Sequence, residues 1–344
     1  MSPEADVRES TLMLREAGEG GDAVTRFLSA NADAIGALAM HLRTHPPAAV
    51  VTCARGSSDH AATYAKYMIE TFLGIPTSSA ALSVASIFDA PVSGGGNLCI
   101  AISQSGRSPD LLATVEAQHV AGATVIALVN DETSPLAGMA DHVLPLSAGP
   151  ERSVAATKSY ITALAGIAAL VAAWSDDADL RGGLQALPAQ LKQAFAIDWS
   201  TALPIFEADR SLFVIGRGYG LAIAQEAALK MKETCGLHAE AFSSAEVRHG
   251  PMTIVGPGFP VLAFATSDEA GDDVRSIVSQ FAERGASTAL VAAHDGTLAA
   301  LDAHPALQPV LMIQSFYRFA NALSLARGMN PDLPPHLNKV TSTR

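Results

Sequence analysis

From residue 98 to residue 130 the chain reads LCIAISQSGRSPDLLATVEAQHVAGATVIALVN, and its apolar and polar positions fall into successive blocks. The run Leu98–Ile102 is apolar throughout, as a strand covered on both faces requires. A polar loop follows, then an amphipathic helix opening at Pro109-Asp110, then a Gly-Ala turn and a second apolar strand. Proline suits a first helical position because its missing N–H would have no partner there, and an acid suits the positive end of the helix dipole. The same succession recurs at 261–293, VLAFATSDEAGDDVRSIVSQFAERGASTALVAA, with Asp110 matched by Asp273 and Gly122 by Gly285 at one constant separation. Glu70-Thr71 matches Glu233-Thr234 at that separation too. Arg55-Gly56 of VVTCARGSSDHA (50–61) matches Arg217-Gly218 of LFVIGRGYGLA (212–222) one residue short of it. Matches in register at this spacing indicate a duplicated domain.

Strand and helix alternate through each half, so the pattern predicts an α/β architecture with a parallel sheet covered on both faces. Alanine-rich helical stretches in 9–44 precede the first half, and the tail MNPDLPPHLNKVTSTR (329–344) follows the second. The expected organisation is an N-terminal helical segment over 1–45, domains over 46–180 and 195–328, and the tail. The longest apolar run, Ile161–Trp174, is too short to span a bilayer and reads as a buried helix.

Composition agrees with two sizeable cores: of 344 residues, 49% are hydrophobic and 16% charged. The net charge of −12 repels phosphate backbones and anionic membranes, so neither nucleic acid nor membrane is an expected partner. An anionic substrate would need a locally positive pocket of backbone N–H groups and a few basic side chains. Cys53, Cys99 and Cys235 lie far apart in the chain without metal-ligand spacing and read as buried, inert thiols. Sparse cysteine suits a reducing cytoplasm, and the acidic, polar start MSPEADVRES is unlike a secretion signal.

Ligands of open parallel sheets bind beyond the carboxyl ends of strands, which is where 56-GSS-58 and 103-SQSGRS-108 are expected to fall. Free N–H groups at a helix start and a cluster of hydroxyls make a site for an anion, although an ordinary capped turn uses the same residue types. The repeat separates these readings. Where the first half carries Ser103, Gln104, Ser105 and Ser108, the second carries Thr266, Ser267, Asp268 and Glu269, whose carboxylates would repel a phosphate. Capping alone would not need that asymmetry, so the first half is expected to grip the anion.

The second half carries the reactive residue types. In EAALKMKETCGLHAEAFSSAEVRHGPM (226–252), Glu226, Lys230 and Glu233 share one helical face. Such a row is ordinarily a solvated ion-pair ladder. Here His238, Glu240, Glu246, Arg248 and His249 follow within a few residues, a dense set of proton-transfer groups. The glycines of 216-GRGYG-220 lack the dinucleotide-binding spacing, and no acid follows at the required distance.

These segments resemble the sugar isomerase (SIS) family, and within it the isomerase half of glucosamine-6-phosphate synthases. The likeness runs from TLMLREAGEGGDAV (11–24) through GSSDHA, ISQSGRS, SVAATKS (153–159) and the 226–252 block with its HGP to the LNKVTST tail. It implies two tandem SIS domains, each a three-layer α/β/α sandwich with a parallel sheet, usually forming a homodimer with sites shared between subunits. By this resemblance Ser58, Ser103, Gln104, Ser105 and Ser108 hold the phosphate of a small-molecule sugar phosphate, and Gly56, Ser57, Val154 and Ala155 line the pocket. Glu233 is implied as the base moving a proton between C1 and C2, and His249 as the ring-opening acid/base supplied by the neighbouring subunit. Lys339 is implied as a Schiff-base lysine, with Glu226 and Lys230 as the supporting pair. A C1–C2 shift needs one base reaching both carbons, a ring oxygen needs a proton donor and an imine needs an amine. No metal or organic cofactor is implied.

The synthases draw ammonia from an N-terminal glutaminase domain with a cysteine directly after the initiator Met. Here residue 2 is serine, and fewer than fifty residues precede the first repeat. The expectation is therefore the same chemistry run as deamination, taking glucosamine 6-phosphate and water to fructose 6-phosphate and ammonia in the cytoplasm. Galactosamine 6-phosphate and fructose-amine 6-phosphates are the competing substrates, and a catalytically silent sugar-phosphate sensor is the reading outside enzymes. The GRSPD that follows SQS departs from a synthase-like GET and puts Arg107 as new charge near the pocket.

Overall fold

The computed structural model describes residues 11–339, which gather into two compact α/β units. One unit comprises 22–150 and 159–184, and the other comprises 11–21, 151–158 and 185–339. Residues 151–158, expected within the first domain, thus pack with the second unit.

Two helices, α1 (Leu12–Gly18) and α2 (Gly20–Thr44), precede the first strand, β1 (Val50–Cys53). Then come α3 (Ser57–Leu73), β2 (Thr77–Ser79), β3 (Leu98–Ser103), α4 (Pro109–Val120), β4 (Thr124–Val129), β5 (His142–Pro145) and α5 (Lys158–Trp174). The sheet runs β2-β1-β3-β4-β5, and every neighbouring pair is parallel, with Cys53 opposite Ala101 and Ser103 opposite Val129. Every residue of β3 is buried, as its unbroken apolar run requires. Alternate side chains go to opposite faces. Cys99, Ala101, Val125 and Ala127 pack with Leu111 and Val115 of α4. On the other face, α5 comes so near that a Cβ on Gly166 would lie 3.2 Å from Leu128 and 2.8 Å from Phe27 of α2. The apolar Ile161–Trp174 run is therefore a covering helix. Among the described residues no helix is long and apolar enough to cross a membrane.

The second unit receives α6 (Ala178–Ala196) from about its middle and then repeats the plan. Its elements are β6 (Ser211–Gly216), α7 (Tyr219–Cys235), β7 (His238–Ser243), β8 (Pro260–Ala265), α8 (Glu269–Glu283), β9 (Ser287–Ala292), β10 (Leu298–Ala299) and α9 (Gln308–Ala326). Its parallel sheet runs β7-β6-β8-β9-β10, the same order as the first when counted from the first strand of each. Phe213, Ile215, Val261 and Ala263 pack with Val274, Ile277 and Phe281 of α8, while Phe264 points to the opposite face and meets Phe316 of α9 edge-on. Each unit is a three-layer α/β/α sandwich.

The duplication extends to local detail. Gly56 and Gly218, which cap α3 and α7, share a left-handed φ of 55° with ψ of −133° and −130°, a conformation costly to any residue with a Cβ. The arginine before each makes the same ion pair to the matched aspartate, Arg55 to Asp110 and Arg217 to Asp273. The cysteines are free and buried, but two that are distant in sequence meet in space. Because β1 and β3 are neighbours, the Cys53 and Cys99 sulfurs lie 3.7 Å apart. Their mutual hydrogen bond and burial push the Cys53 thiol up, and burial pushes Cys235 up to about 11, so both stay protonated.

Candidate active site

Strand order in the first sheet reverses at β1 and β3, and such switch points are where open α/β sheets bind ligands. Gly56, Ser57 and Ser58 lead out of β1 into α3, and 103–108 leads out of β3 into α4. Ser103 is buried, and its hydroxyl accepts from the Gly106 N–H at 2.9 Å, closing the turn. Ser58, Gln104, Ser105 and Ser108 are half-buried. Ser108 occupies the N-cap of α4 without a side-chain capping bond, and Gly56 has no side chain with which to cap α3. Two helix starts therefore carry N–H groups that no cap side chain satisfies.

The second unit seals the equivalent place. Asp268 caps α8 by accepting from the Gly271 N–H at 3.0 Å and from the Thr266 hydroxyl at 2.6 Å. Asp268, one of the acids that replace the serines, thus has a local job. Arg107, expected as new charge near the pocket, has an acidic partner. It pairs with Asp131 at 2.7 Å on the surface, where hydrogen bonds from Thr133 and Arg107 hold the Asp131 carboxyl down at about 2.

The charged row on α7 is not a solvated ladder. Glu226 is 0% and Lys230 1% exposed, because this face of α7 lies against α9 rather than water. Lys230 Nζ lies 2.6 Å from Glu233 Oε2 and 3.3 Å from Glu226 Oε1, and the Tyr317 hydroxyl of α9 donates to Glu226 Oε1 at 3.2 Å. Glu233 alone of the three reaches solvent, with its side chain 20% exposed. Burial pushes the lysine down, but the adjacent Glu226 and Glu233 more than reverse this and lift it to about 12. A cation raised in the fold supports stability below its unfolded value near 10.5 and loses that support as pH climbs through about 12. Lys230 is therefore a fixed charge at neutral pH, unsuited to act as a nucleophile.

A second polar cluster lies around residues 151–158. Glu16 of α1 accepts from the Arg152 and Ser153 N–H groups at 2.6 and 3.1 Å, and Glu19 pairs with the buried Lys158 at 2.6 Å. These bonds fix the segment that carries half-buried Val154 and buried Ala155. The buried Glu151 accepts from the Thr157 N–H at 2.9 Å and faces Lys339, whose Nζ lies 3.4 Å from Glu151 Oε2. Lys339 is thus a partly buried, paired lysine. Asp332 from the same tail caps α1 by accepting from the Leu12 and Met13 N–H groups. Residues 340–344, including the whole VTST of the tail motif, lie outside the described residues.

The SIS domain pattern matches residues 47–173 and again 205–322. The chain belongs to the SIS domain family. It is 31% identical to the isomerizing glutamine–fructose-6-phosphate aminotransferase of Symbiobacterium thermophilum over 97% of its own length and 58% of the relative's. It spans about half of further such relatives, 51% of the Zymomonas mobilis enzyme for one. Among solved structures, a candidate phosphosugar isomerase of Silicibacter pomeroyi DSS-3 shares 44% identity and a TM-score of 0.87, covering 94% of this chain and all of that one. The glucosamine-6-phosphate deaminase of Thermotoga maritima shares the fold alone, at 21% identity and a TM-score of 0.79 over 97% of this chain and 100% of its own.

Within this SIS chain, the structure does not bring His249 to Glu233. Glu233 sits in the last turn of α7, beside the start of β7. His249, exposed, follows the end of β7 in a short turn anchored by Arg248, which pairs with Asp273 of α8. Glu233 and His249 therefore lie at opposite ends of this edge strand, separated by the length of β7, about 20 Å. Asp273 also takes Arg217 and the Ser244 hydroxyl, and despite its partial burial these bonds hold its carboxyl below the ordinary range. The structure adds Glu16 and Glu151, which hold the 151–158 segment, and Tyr317, which donates to Glu226. Glu16 lies in a stretch that the family resemblance had marked. Tyr317 carried no signal, because an apolar helix buries tyrosine for packing as readily as for a hydrogen bond.

Proposed function

We propose that this protein is a sugar-phosphate isomerase that deaminates glucosamine 6-phosphate, yielding fructose 6-phosphate and ammonia. The observation that carries this reading is the buried Glu226–Lys230–Glu233 array. One oxygen of Glu233 is pinned by a permanent cation and the rest of the carboxylate is open to a ligand. A carboxylate fixed on a rigid helix can take a proton from one carbon and return it to the next. In this reading the 56–58 and 103–108 loops hold the phosphate, and His249 protonates the ring oxygen as the C1 aldehyde forms. Glu233 removes the C2 proton and returns one to C1, leaving an imine at C2. Lys339 attacks that carbon and ammonia leaves, and water then frees the ketone and regenerates the amine. The isomerizing activity named in the Symbiobacterium relative and the fold shared with a deaminase both support this assignment.

Ammonia release from glucosamine 6-phosphate tests it against galactosamine 6-phosphate, the N-acetyl forms and fructoselysine 6-phosphate. One ammonia per fructose 6-phosphate from the first substrate is the expected outcome. Borohydride added during turnover should trap a Lys339 adduct visible by mass spectrometry. Ammonia-free release of an amino acid from the glycated substrate would contradict the assignment.

The distance between Glu233 and His249 favours a homodimer in which a second copy supplies the histidine. Mixing Glu233→Gln with His249→Ala subunits should then restore about a quarter of wild-type activity from two inactive parents, as half the random dimers hold one intact site. Mixtures as inactive as their parents would count against shared sites.

A further inference from the structure

We propose that Arg55 is the residue that makes the 56–58 and 103–108 cradle selective for a phosphorylated sugar, by presenting the fixed positive charge at its mouth. The inference rests on reading that cradle as the phosphate site. Arg55 follows β1 directly and precedes Gly56, so its backbone belongs to one loop. Its guanidinium belongs to the other: Nε and Nη2 lie 2.9 and 2.8 Å from Asp110 Oδ2, in the first turn of α4, two residues beyond Ser108. One side chain therefore ties the two loops together and places its charge over the uncapped start of α4.

The pair is polarised toward the ligand side. The Asp110 carboxylate is 0% exposed and its other oxygen is taken by the Leu111 N–H at 2.8 Å, whereas the Arg55 side chain is 51% exposed. The aspartate's charge is further offset by the helix dipole at whose positive end it lies. What faces outward is a guanidinium whose Nη1 is not spent on Asp110, the geometry in which arginine forks onto a phosphate.

The repeat provides an internal contrast. Arg217 makes the same pair with Asp273, but there Arg248 and the Ser244 hydroxyl join it and the neighbouring helix is sealed by Asp268. The duplicated ion pair is a structural lock in the second unit. In the first it stands beside an open serine loop. Arg107, the other nearby cation, is engaged by Asp131. This accounts for how a chain of net charge −12 could attract a dianion at one place.

The test is calorimetric affinity of the intact protein for fructose 6-phosphate, with unphosphorylated fructose and inorganic phosphate as companion probes. Arg55→Gln keeps a donor for Asp110 without the charge, and Arg55→Met paired with Asp110→Asn avoids stranding a buried carboxylate. Both should weaken fructose 6-phosphate binding by about 10- to 100-fold. They should weaken inorganic phosphate similarly and leave any binding of fructose unchanged. Folded Arg55 variants with wild-type affinity would overturn the inference. Ser103→Ala and Ser105→Ala separate the two levels. If they lose affinity while the Arg55 variants keep it, the cradle stands and Arg55 falls. If none loses affinity, both fall.

Discussion

Glu233→Gln is expected to lower ammonia release from glucosamine 6-phosphate by about 10²–10⁴-fold while changing KM little. Glutamine has nearly the volume of glutamate and can accept from Lys230 through its carbonyl, so the 2.6 Å contact has a replacement and the 20% exposed position tolerates the amide. What is lost is the capacity to take a proton from C2. A substrate held through its phosphate should still bind, which is why the effect falls on kcat. Initial rates at saturating substrate decide the matter, and turnover within threefold of wild type would remove Glu233 from the chemistry.

Lys230→Met should give the largest loss of stability of any single change at this site. The substitution leaves Glu226, fully buried, and Glu233 facing each other across an apolar side chain, with the lysine's charge gone and the Tyr317 hydroxyl still donating to Glu226. Removing one partner of a buried ion pair costs about 3–5 kcal/mol because the remaining charge has been taken out of water without compensation. Neutralising that charge as well, in Lys230→Met with Glu226→Gln, should recover most of the loss but none of the activity, since Glu233 would then lack the cation that pins it. Urea unfolding followed by circular dichroism measures both steps. A single variant within 1 kcal/mol of wild type would mean that water reaches the array.

How much of this was legible beforehand depended on whether the signal was local. The duplication was, because register-matched pairs such as Arg55-Gly56 and Arg217-Gly218 reflect backbone geometry that each half needs separately, and the two glycines indeed share one conformation. Strand β3 was legible from its unbroken apolar run, and the opening of α4 from Pro109 and Asp110. Burial of a charged helical face was not, because spacing along α7 shows which residues share a face but not whether α9 covers it. Lys339 reads in sequence as a solvated tail lysine, and its partner Glu151 is 188 residues away in the chain. The meeting of Cys53 and Cys99 likewise follows from strand order. Asp268 reads in sequence only as a carboxylate hostile to phosphate, and its cap to Gly271 is a local role that the structure adds.

Hydrogen transfer to C1 by a base fixed on one face of the sugar is the step on which the proposed chemistry depends. It can be watched directly with glucosamine 6-phosphate deuterated at C2 and dissolved in D2O, where the new C1 hydrogen must be deuterium whether or not the base exchanges with solvent. Proton NMR of the product should show fructose 6-phosphate carrying deuterium at a single prochiral C1 position, with one ammonia released per molecule. Deuterium spread over both positions, or no fructose 6-phosphate at all, would contradict it.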